Sequence, residues 1–486
     1  LMLTRIPVIV VCLSSFLAVG TPGFGQRTIR RSPRNTNPLH EQLKSQAEQA
    51  YQAANYQRSV ELTDQVIRQN PRDHVALYLR SSSRIELGIG SGDAALLRTG
   101  ISDARSAISH GGTNQFMYYL PYLYGMTNLA ALEQRKEHAE VAAQVASQVL
   151  SARGLSADNR ANILYQRAMA YGHLGQQPQV IADFAAAVRA NNAHLGAHVG
   201  LADAYSAAGD RKNARQAYDS AIRVFPNNPL VFNNRGMFLQ QGGEFAEAVI
   251  DFTRALEIDA SYFTALTNRG FTLMEQDEVE AAENDFTESL QIHGDQPMVY
   301  SLRGTARLSQ GKTQEALADY AQVASRDAKN PVAHADLGFA SFFAGEHQRA
   351  QQAFRKAIAL DASQRYLNPW LYSSLKASGS TEEAQRAFAK EAKKPADDRD
   401  WVDALQGFVM GQIDDAELLR QVNPEDADLK NAQTCEAHFF IGRNLAKSGQ
   451  ASEATKHFQT AVGTNARHLS AFRGAQLALS QTATEK

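Results

Sequence analysis

Apolar and small side chains recur along this chain at the three- and four-residue spacing of amphipathic helices. In residues 229–262, Gly236 and Leu239 share one face of a first predicted helix. Ala248 and Phe252 share one face of a second, and a Gly-Gly pair separates the two helices. This stretch therefore predicts a helical hairpin.

The hairpin recurs with a period of about 34 residues, which is typical of an array of stacked repeats. In such an array each unit packs on its neighbours, and no strand pattern competes with this interpretation. The units in clean register are 161–194, 195–228, 229–262, 263–296, 297–330 and 331–364.

Three positions of the repeat carry the same kind of residue in most units. Small residues predict a close helix crossing, because neither backbone tolerates a side chain at such a contact. The small residues at the eighth position are Ala47, Ala168, Ala202, Gly236, Gly270, Gly304, Gly338 and Gly442. Those at the twentieth are Ala214, Ala248, Ala282, Ala316, Ala350 and Ala454. The twenty-fourth position holds an aromatic ring at Phe184, Tyr218, Phe252, Phe286, Tyr320, Phe354 and Phe458.

A unit of this length, with a small residue in its first helix and Ala-x-x-x-aromatic-x-x-Ala in its second, resembles the tetratricopeptide repeat (TPR). The resemblance implies an all-α, right-handed α-α superhelical solenoid. It also implies a concave groove lined by the first helix of each repeat.

Breaks in the repeat pattern divide the chain into six predicted segments. Gly88 to Leu97 is an insertion for which we expect a flexible loop around Gly88–Gly92, and 468–479 predicts a terminal helix that covers the last repeat. The segments are a signal peptide (1–25), a flexible basic linker (26–39), divergent N-terminal TPR units (40–158), the regular array (161–364), a divergent helical segment (365–434), and a C-terminal TPR with its capping helix (435–486).

The first residues have the pattern of a secretory leader. Arg5 is followed by an apolar run from Ile6 to Val19, and Gly23-Phe24-Gly25 forms a small-x-small cleavage site. We expect a periplasmic or secreted protein, with an uncleaved anchor as the alternative. Cleavage would leave Cys435 as the single cysteine, so no disulfide could form within the mature chain.

Composition and motifs give no sign of catalysis. A net charge of −2 does not favour nucleic-acid binding. The histidines do not follow metal-ligand spacing, and the phosphate-loop-like run 306–313 sits in a turn between two predicted helices rather than after a strand. We expect no catalytic residue, no metal and no cofactor.

Arginine at the seventh position of a repeat coincides with aspartate at the twenty-third. Repeats with Leu201, Leu337 or Ile441 at the seventh position lack the acid, which favours a structural bridge over a row of arginines for an acidic ligand. The predicted pairs are Arg80 with Asp103, Arg167 with Asp183, Arg235 with Asp251, Arg269 with Asp285, and Arg303 with Asp319.

The resemblance to TPR proteins also indicates which residues would line the groove. Amides there can pair with the backbone of an extended peptide, while Met and Phe offer adaptable apolar contact. The residues carried over are Asn233, Asn234, Met237, Gln240, Gln241, Thr267, Asn268, Phe271, Met274, Glu275, Ser301, Thr305, Phe339, Phe342 and Phe343.

The C-terminal quarter is also similar to bacterial periplasmic and outer-membrane TPR adaptor lipoproteins, in the order WVDALQGFVMG, DDAELLRQV and CEAHFFIGRNLAKSGQASEATKHF. This resemblance implies an adaptor that brings proteins together in the cell envelope. We therefore predict a non-enzymatic scaffold that binds a protein or peptide in its concave groove, without nucleic acid, and in contact with a membrane only through an uncleaved leader. The first alternative is the repeat portion of an O-linked N-acetylglucosamine transferase without its catalytic domain. The second is an envelope assembly factor that forms homo-oligomers through Tyr118, Tyr119, Tyr122 and Tyr124.

Overall fold

The computed structural model describes residues 37–112, 115–389 and 399–484. Within these ranges every regular element is helical, with twenty-five α-helices, two short 3₁₀ helices and no strand. The all-α prediction and the tandem packing of helix pairs are confirmed. The predicted signal peptide and nearly all of the predicted linker lie outside the described residues.

The chain divides into two compact units, and the boundary between them falls between Phe238 and Leu239. Consecutive helices pack as pairs within each unit. The helices up to the boundary are α1 (Pro38–Gln52), α2 (Tyr56–Gln69), α3 (His74–Ser91), α4 (Ala94–Gly111), α5 (Tyr119–Glu133), α6 (Lys136–Leu150), α7 (Ala157–His173), α8 (Gln177–Ala190), α9 (Leu195–Ala207), α10 (Arg211–Val224) and α11 (Pro229–Gln241), which contains the boundary.

The second unit continues the pattern of paired helices and ends with a single helix. Its helices are α12 (Phe245–Ile258), α13 (Phe263–Glu275), α14 (Val279–Ile292), α15 (Pro297–Ser309), α16 (Thr313–Arg326), α17 (Pro331–Phe343), α18 (His347–Leu360), α19 (Asn368–Ala377), α20 (Thr381–Ala387), α21 (Trp401–Val409), α22 (Asp415–Arg420), α23 (Ala427–Lys447), α24 (Ala451–Gly463) and α25 (Ser470–Thr484). Short 3₁₀ helices lie at Phe116–Tyr118 in the first unit and Ala362–Leu367 in the second.

Local chemistry explains where many helices begin and where the hairpins turn. The side chains of Asp73, Asp210 and Asn330 accept hydrogen bonds from free backbone N–H groups at the start of α3, α10 and α17. Turns between paired helices place Gly209 and Gly345 at φ of 75° and 77°, where glycine carries no steric penalty.

The insertion at Gly88 to Leu97 is not the loop that its glycines predicted. Helix α3 continues to Ser91, Gly92 ends it with φ 66°, and α4 begins at Ala94. A Cβ atom on Gly88 would lie 2.9 Å from Leu97 Cγ, so glycine lets the two lengthened helices approach closely. The glycines here therefore serve helix packing, and the extra residues add turns to both helices.

Each unit has its own buried core. In the first unit, Tyr118 is 1% exposed and its hydroxyl lies 2.7 Å from His74 Nδ1. In the second, Trp370 is 2% exposed and stacks on Phe439 with ring centroids 5.1 Å apart. Cys435 is fully buried in the same cluster. No helix among the described residues has the length and apolar character needed to cross a membrane.

Candidate functional site

The predicted groove residues lie on the first helices of the repeats, but the structure distributes them between core and surface. Gln240, Phe271, Met274, Ser301, Thr305 and Phe343 are half-buried, and Gln241 and Glu275 are exposed. The buried ones, which cannot meet a ligand as they stand, are Asn233, Asn234 and Met237 in the first unit and Thr267, Asn268, Phe339 and Phe342 in the second.

Hydrogen bonding accounts for part of this burial in the second unit. The Thr267 hydroxyl lies 2.9 Å from Ser289 Oγ, on the second helix of the same repeat. Gln240 Nε2 donates to Thr272 Oγ1 at 2.6 Å, and so joins the end of α11 to α13. These side chains hold helices together, which the position in the repeat alone does not reveal.

Aromatic packing accounts for the burial of the two phenylalanines. The Phe339 ring centroid lies 5.0 Å from that of Trp370 and 5.3 Å from that of Phe354. Phe342 contacts Trp370 at 5.3 Å. The pattern of the regular repeats contains no tryptophan, and so it could not predict this cluster.

Helix α25 covers another part of the predicted groove. It packs on α23 and α24, as expected of a terminal helix, and also on α15. A Cβ atom on Gly474 would lie 2.6 Å from both Phe343 and Phe439, which places the helix directly on these rings. Just before α25, Arg467 donates to both carboxylate oxygens of Asp277 at 2.6 and 2.9 Å. Helix α25 thus covers the ring of Phe343, one of the predicted groove residues.

An accessible surface, here called the inner patch, consists of Gln241, Phe271, Met274 and Glu275. Gln241 ends α11, and Phe271, Met274 and Glu275 lie in the C-terminal half of α13. Apolar side chains that can adapt, with polar groups at the edge, suit contact with a peptide or a protein segment.

The structure brings four of the five predicted arginine–aspartate pairs together through two parallel hydrogen bonds each. Such bidentate contacts favour the charged form of both partners. The hydrogen bonds to Asp183 raise the pKa of Arg167, and those to Asp285 raise the pKa of Arg269. The shorter hydrogen bond is 2.6 Å in Arg80–Asp103, 2.6 Å in Arg167–Asp183, 2.7 Å in Arg269–Asp285 and 2.7 Å in Arg303–Asp319.

Arg235 shares one contact with Arg269 and Arg303, a hydrogen bond from Nη1 to the residue sixteen positions earlier. Its Nη1 donates to Asp219 at 2.8 Å, while Asp251 is buried. The pairing of Arg235 with Asp251 stays a prediction.

The described residues contain no group of three or more His, Cys, Asp or Glu side chains arranged to hold a metal ion. Burial raises the pKa of the Cys435 thiol to about 12, so this cysteine is not an activated nucleophile. Lys312, in the phosphate-loop-like run, follows a helix and pairs with Glu283 at 2.6 Å.

The tyrosines proposed for self-association are largely internal. Tyr118 and Tyr122 are 1% and 6% exposed, while Tyr119 and Tyr124 are half-buried. Tyr122 packs in the core around α5, and Tyr118 packs in the core of the first helices, so neither offers its ring to another copy.

Two charged features of unit 2 were missed from the sequence. Glu436 is a half-buried acid whose Oε2 accepts a 2.6 Å hydrogen bond from Trp401 Nε1. Arg443 lies 4.1 Å from the centroid of the Phe342 ring. The repeat pattern gave no signal for Arg443, which stands at the ninth position rather than the seventh.

Comparisons with known proteins give matches to family models and to solved structures. Two tetratricopeptide repeat family models match residues 199–263 and 307–368. The pilF protein of Pseudomonas aeruginosa is 20% identical, with a TM-score of 0.38 over 42% of this chain and 94% of its own. YrrB, described as a TPR protein with an unusual peptide-binding site, is 18% identical, with a TM-score of 0.33 over 37% and 92%. A tetratricopeptide repeat protein from Parabacteroides merdae is 18% identical, with a TM-score of 0.36 over 54% and 97%.

The sequence period, the paired helices and the two family models all indicate the same repeat. The small residues at the eighth position meet the aromatic rings at the twenty-fourth, as in Gly270 against Phe286 and Gly338 against Phe354. The chain therefore contains tetratricopeptide repeats, matched at residues 199–263 and 307–368.

Proposed function

We propose that this protein is a non-enzymatic scaffold that binds a protein or peptide on the inner patch of unit 2. The observation that carries the proposal is the half-exposed pair Phe271 and Met274, which stays accessible while neighbouring inner-face residues are buried. An extended segment could place apolar side chains on this pair and meet the Gln241 amide and the Glu275 carboxylate at its edge.

Binding of a peptide library to the full-length protein tests this proposal. Phe271→Ala combined with Met274→Ala should weaken selected peptides about tenfold or more, since both changes remove contact area at one site. Ile250→Ala is the matched control, because Ile250 is 67% exposed and lies on the second helix of its repeat. Equal affinity for the double variant and the control would reject the inner patch. Asn234→Ala would not test the inner patch, because Asn234 lies outside the patch and is buried.

We also propose that the scaffold acts in the cell envelope, as an adaptor between envelope proteins. Support comes from the leader-like pattern of Arg5, the apolar run 6–19 and the small-x-small site ending at Gly25, and from the sequence order of the C-terminal quarter. Fractionation followed by N-terminal sequencing tests it. The proposal expects a mature chain that begins at Gln26 in the envelope fraction, and a full-length chain in the cytosol contradicts it.

A further inference from the structure

A guanidinium and a histidine ring lie against the ring of Phe342 in unit 2, and two lysines add positive charge to the same region. Arg443 and Lys447 lie one turn apart on α23, Lys376 lies near the end of α19, and His347 is the first residue of α18. The Arg443 guanidinium carbon is 4.1 Å from the Phe342 centroid, and the His347 ring is 5.7 Å from it. We call these four residues the cation cluster.

Their charges act on one another. Desolvation, with the charges of Arg443 and Lys447 next, lowers the pKa of His347. Desolvation and the charges of Arg443 and Lys376 lower the pKa of Lys447 to about 8. Like charges that act on one another repel, so the cluster costs free energy as it stands.

No acid compensates the cluster within the part of the chain that the structure describes. In residues 37–112, 115–389 and 399–484, no carboxylate lies within 4.0 Å of a charged nitrogen of Arg443, Lys447 or Lys376. The arginines of other repeats are different, since Arg269 and Arg303 each hold an aspartate through two hydrogen bonds.

Arg443 and His347 also carry hydrogen-bonding groups that have no partner among the described residues. Arg443 makes no side-chain hydrogen bond to a described residue, although a guanidinium carries five N–H donors. The Nδ1 atom of His347 is buried and has no hydrogen-bond partner among the described residues. Arg443 and His347 are half-buried, whereas Lys376 and Lys447 are exposed. Removing the donors and the charge of the first two from water without a partner is unfavourable, and a bound anion would satisfy both.

We propose that Arg443, Lys447, Lys376 and His347 form a binding site for an anionic group, a carboxylate or a phosphate, beside the Phe342 ring. The guanidinium would form bidentate hydrogen bonds to two oxygens of the anion, and the two lysines would add charge. The ring of Phe342 would support the guanidinium through a cation–π contact and keep it oriented. This site is separate from the inner patch and does not depend on peptide binding there.

Calorimetric titration of the full-length protein at pH 7 and constant ionic strength tests the proposal. The probes are inorganic phosphate and a hexaglutamate peptide, and constant ionic strength keeps general screening equal between them. Saturable binding of phosphate identifies a phosphate site, and saturable binding of the peptide alone identifies a carboxylate site. The absence of saturable binding for both probes overturns the proposal.

Variants separate this site from general attraction of anions. Arg443→Met should weaken binding about tenfold or more, and Lys447→Met and Lys376→Met several-fold. Lys456→Met is the matched control, because Lys456 is exposed and paired with Glu453 at 2.7 Å, and it should bind as the wild type does. Equal binding by Arg443→Met and the wild type overturns the proposal.

Thermal unfolding in anion-free buffer distinguishes a binding cation from a structural one. Arg443→Met should unfold at the same temperature as the wild type or higher, because it removes an uncompensated charge and keeps an apolar chain beside Phe342. A lower unfolding temperature would assign Arg443 to the structure alone and overturn the proposal.

Discussion

At the scale of single residues, the eighth position of the repeat shows how sequence dictates contact. A Cβ atom on Gly338 would lie 2.5 Å from the Phe354 ring, and one on Gly270 would lie 2.8 Å from Phe286. Distances this short require the ring to move. The alternation of small and aromatic residues was readable from the sequence because it repeats, and the contacts follow it.

Overpacking at this position should destabilise the fold. We expect Gly270→Leu to cost about 1–3 kcal/mol, since the added carbons displace the buried Phe286 ring. Gly172→Ala is the control, because a Cβ there meets no atom within 4 Å and alanine favours helix. Thermal unfolding of both variants is the measurement, and an unchanged unfolding temperature for Gly270→Leu would contradict the contact.

A comparison of the repeats within this one chain was enough to predict the arginine–aspartate pairs. Asp285 is 5% exposed and its two oxygens accept from Arg269 at 2.7 and 2.8 Å. Asp285→Ala alone should cost about 3–5 kcal/mol, because it strands a partly buried guanidinium. Asp285→Ala with Arg269→Leu should cost much less, since Leu337 and Ala353 occupy these positions in another repeat.

A double-mutant cycle, measured by chemical denaturation, reports the coupling of this pair. The exposed pair Lys456–Glu453 provides the comparison and should show coupling below about 1 kcal/mol. Additive effects at Arg269 and Asp285 would be incompatible with the bridge.

Glu436 makes the stability of unit 2 depend on pH. Burial raises its pKa to about 7, above an ordinary value of 4.5, and the hydrogen bond from Trp401 lowers it in part. The protonated form stabilises the fold fully below pH 4.5, and this contribution is lost as pH rises through 7.

Glu436→Gln should therefore remove part of the pH dependence. Between pH 5 and 8, the wild type should lose on the order of 1–3 kcal/mol relative to the variant, which has no charge to bury. Thermal unfolding at the two pH values measures this difference. Parallel pH profiles for both proteins would show that Glu436 does not titrate in this range.

At the scale of elements, the helix pairs were predictable and the position of α25 was not. Hydrophobic spacing located the paired helices of the regular array, but Arg467 and Asp277 are 190 residues apart and nothing in the repeat pattern joins them. The prediction of a flexible loop at Gly88–Gly92 was wrong for a related reason. Glycine serves both loops and close helix packing, and only the neighbour, here Leu97, distinguishes them.

Asp277 offers a test of what holds the start of α25. It has φ 64° at the turn position where other repeats carry Gly243, Gly311 or Gly345. Asp277→Gly should be neutral or stabilising by up to about 1 kcal/mol, because strain is relieved and an exposed ion pair contributes little. Gly311→Asp is the reverse control and should destabilise by about 1 kcal/mol. A clear drop in unfolding temperature for Asp277→Gly would mean that Arg467 anchors α25 strongly.

At the scale of the whole molecule, both units are built from helix pairs and each buries its own core. The repeat pattern was sufficient to predict this architecture. It could not predict which inner-face residues stay accessible, because burial depends on partners outside the repeat, such as Trp370 and α25. The proposed function therefore rests on the surfaces that the repeats leave uncovered.

Site-specific photo-crosslinking tests most directly whether the inner patch is the binding surface. A photoreactive phenylalanine analogue would replace Met274 in one full-length protein and the exposed Ile250 in another, and both would be irradiated in envelope extracts. Our account predicts discrete crosslinked partners from position 274, competed by unlabelled wild type, and none from position 250. Crosslinks of equal yield and identity from both positions would contradict it.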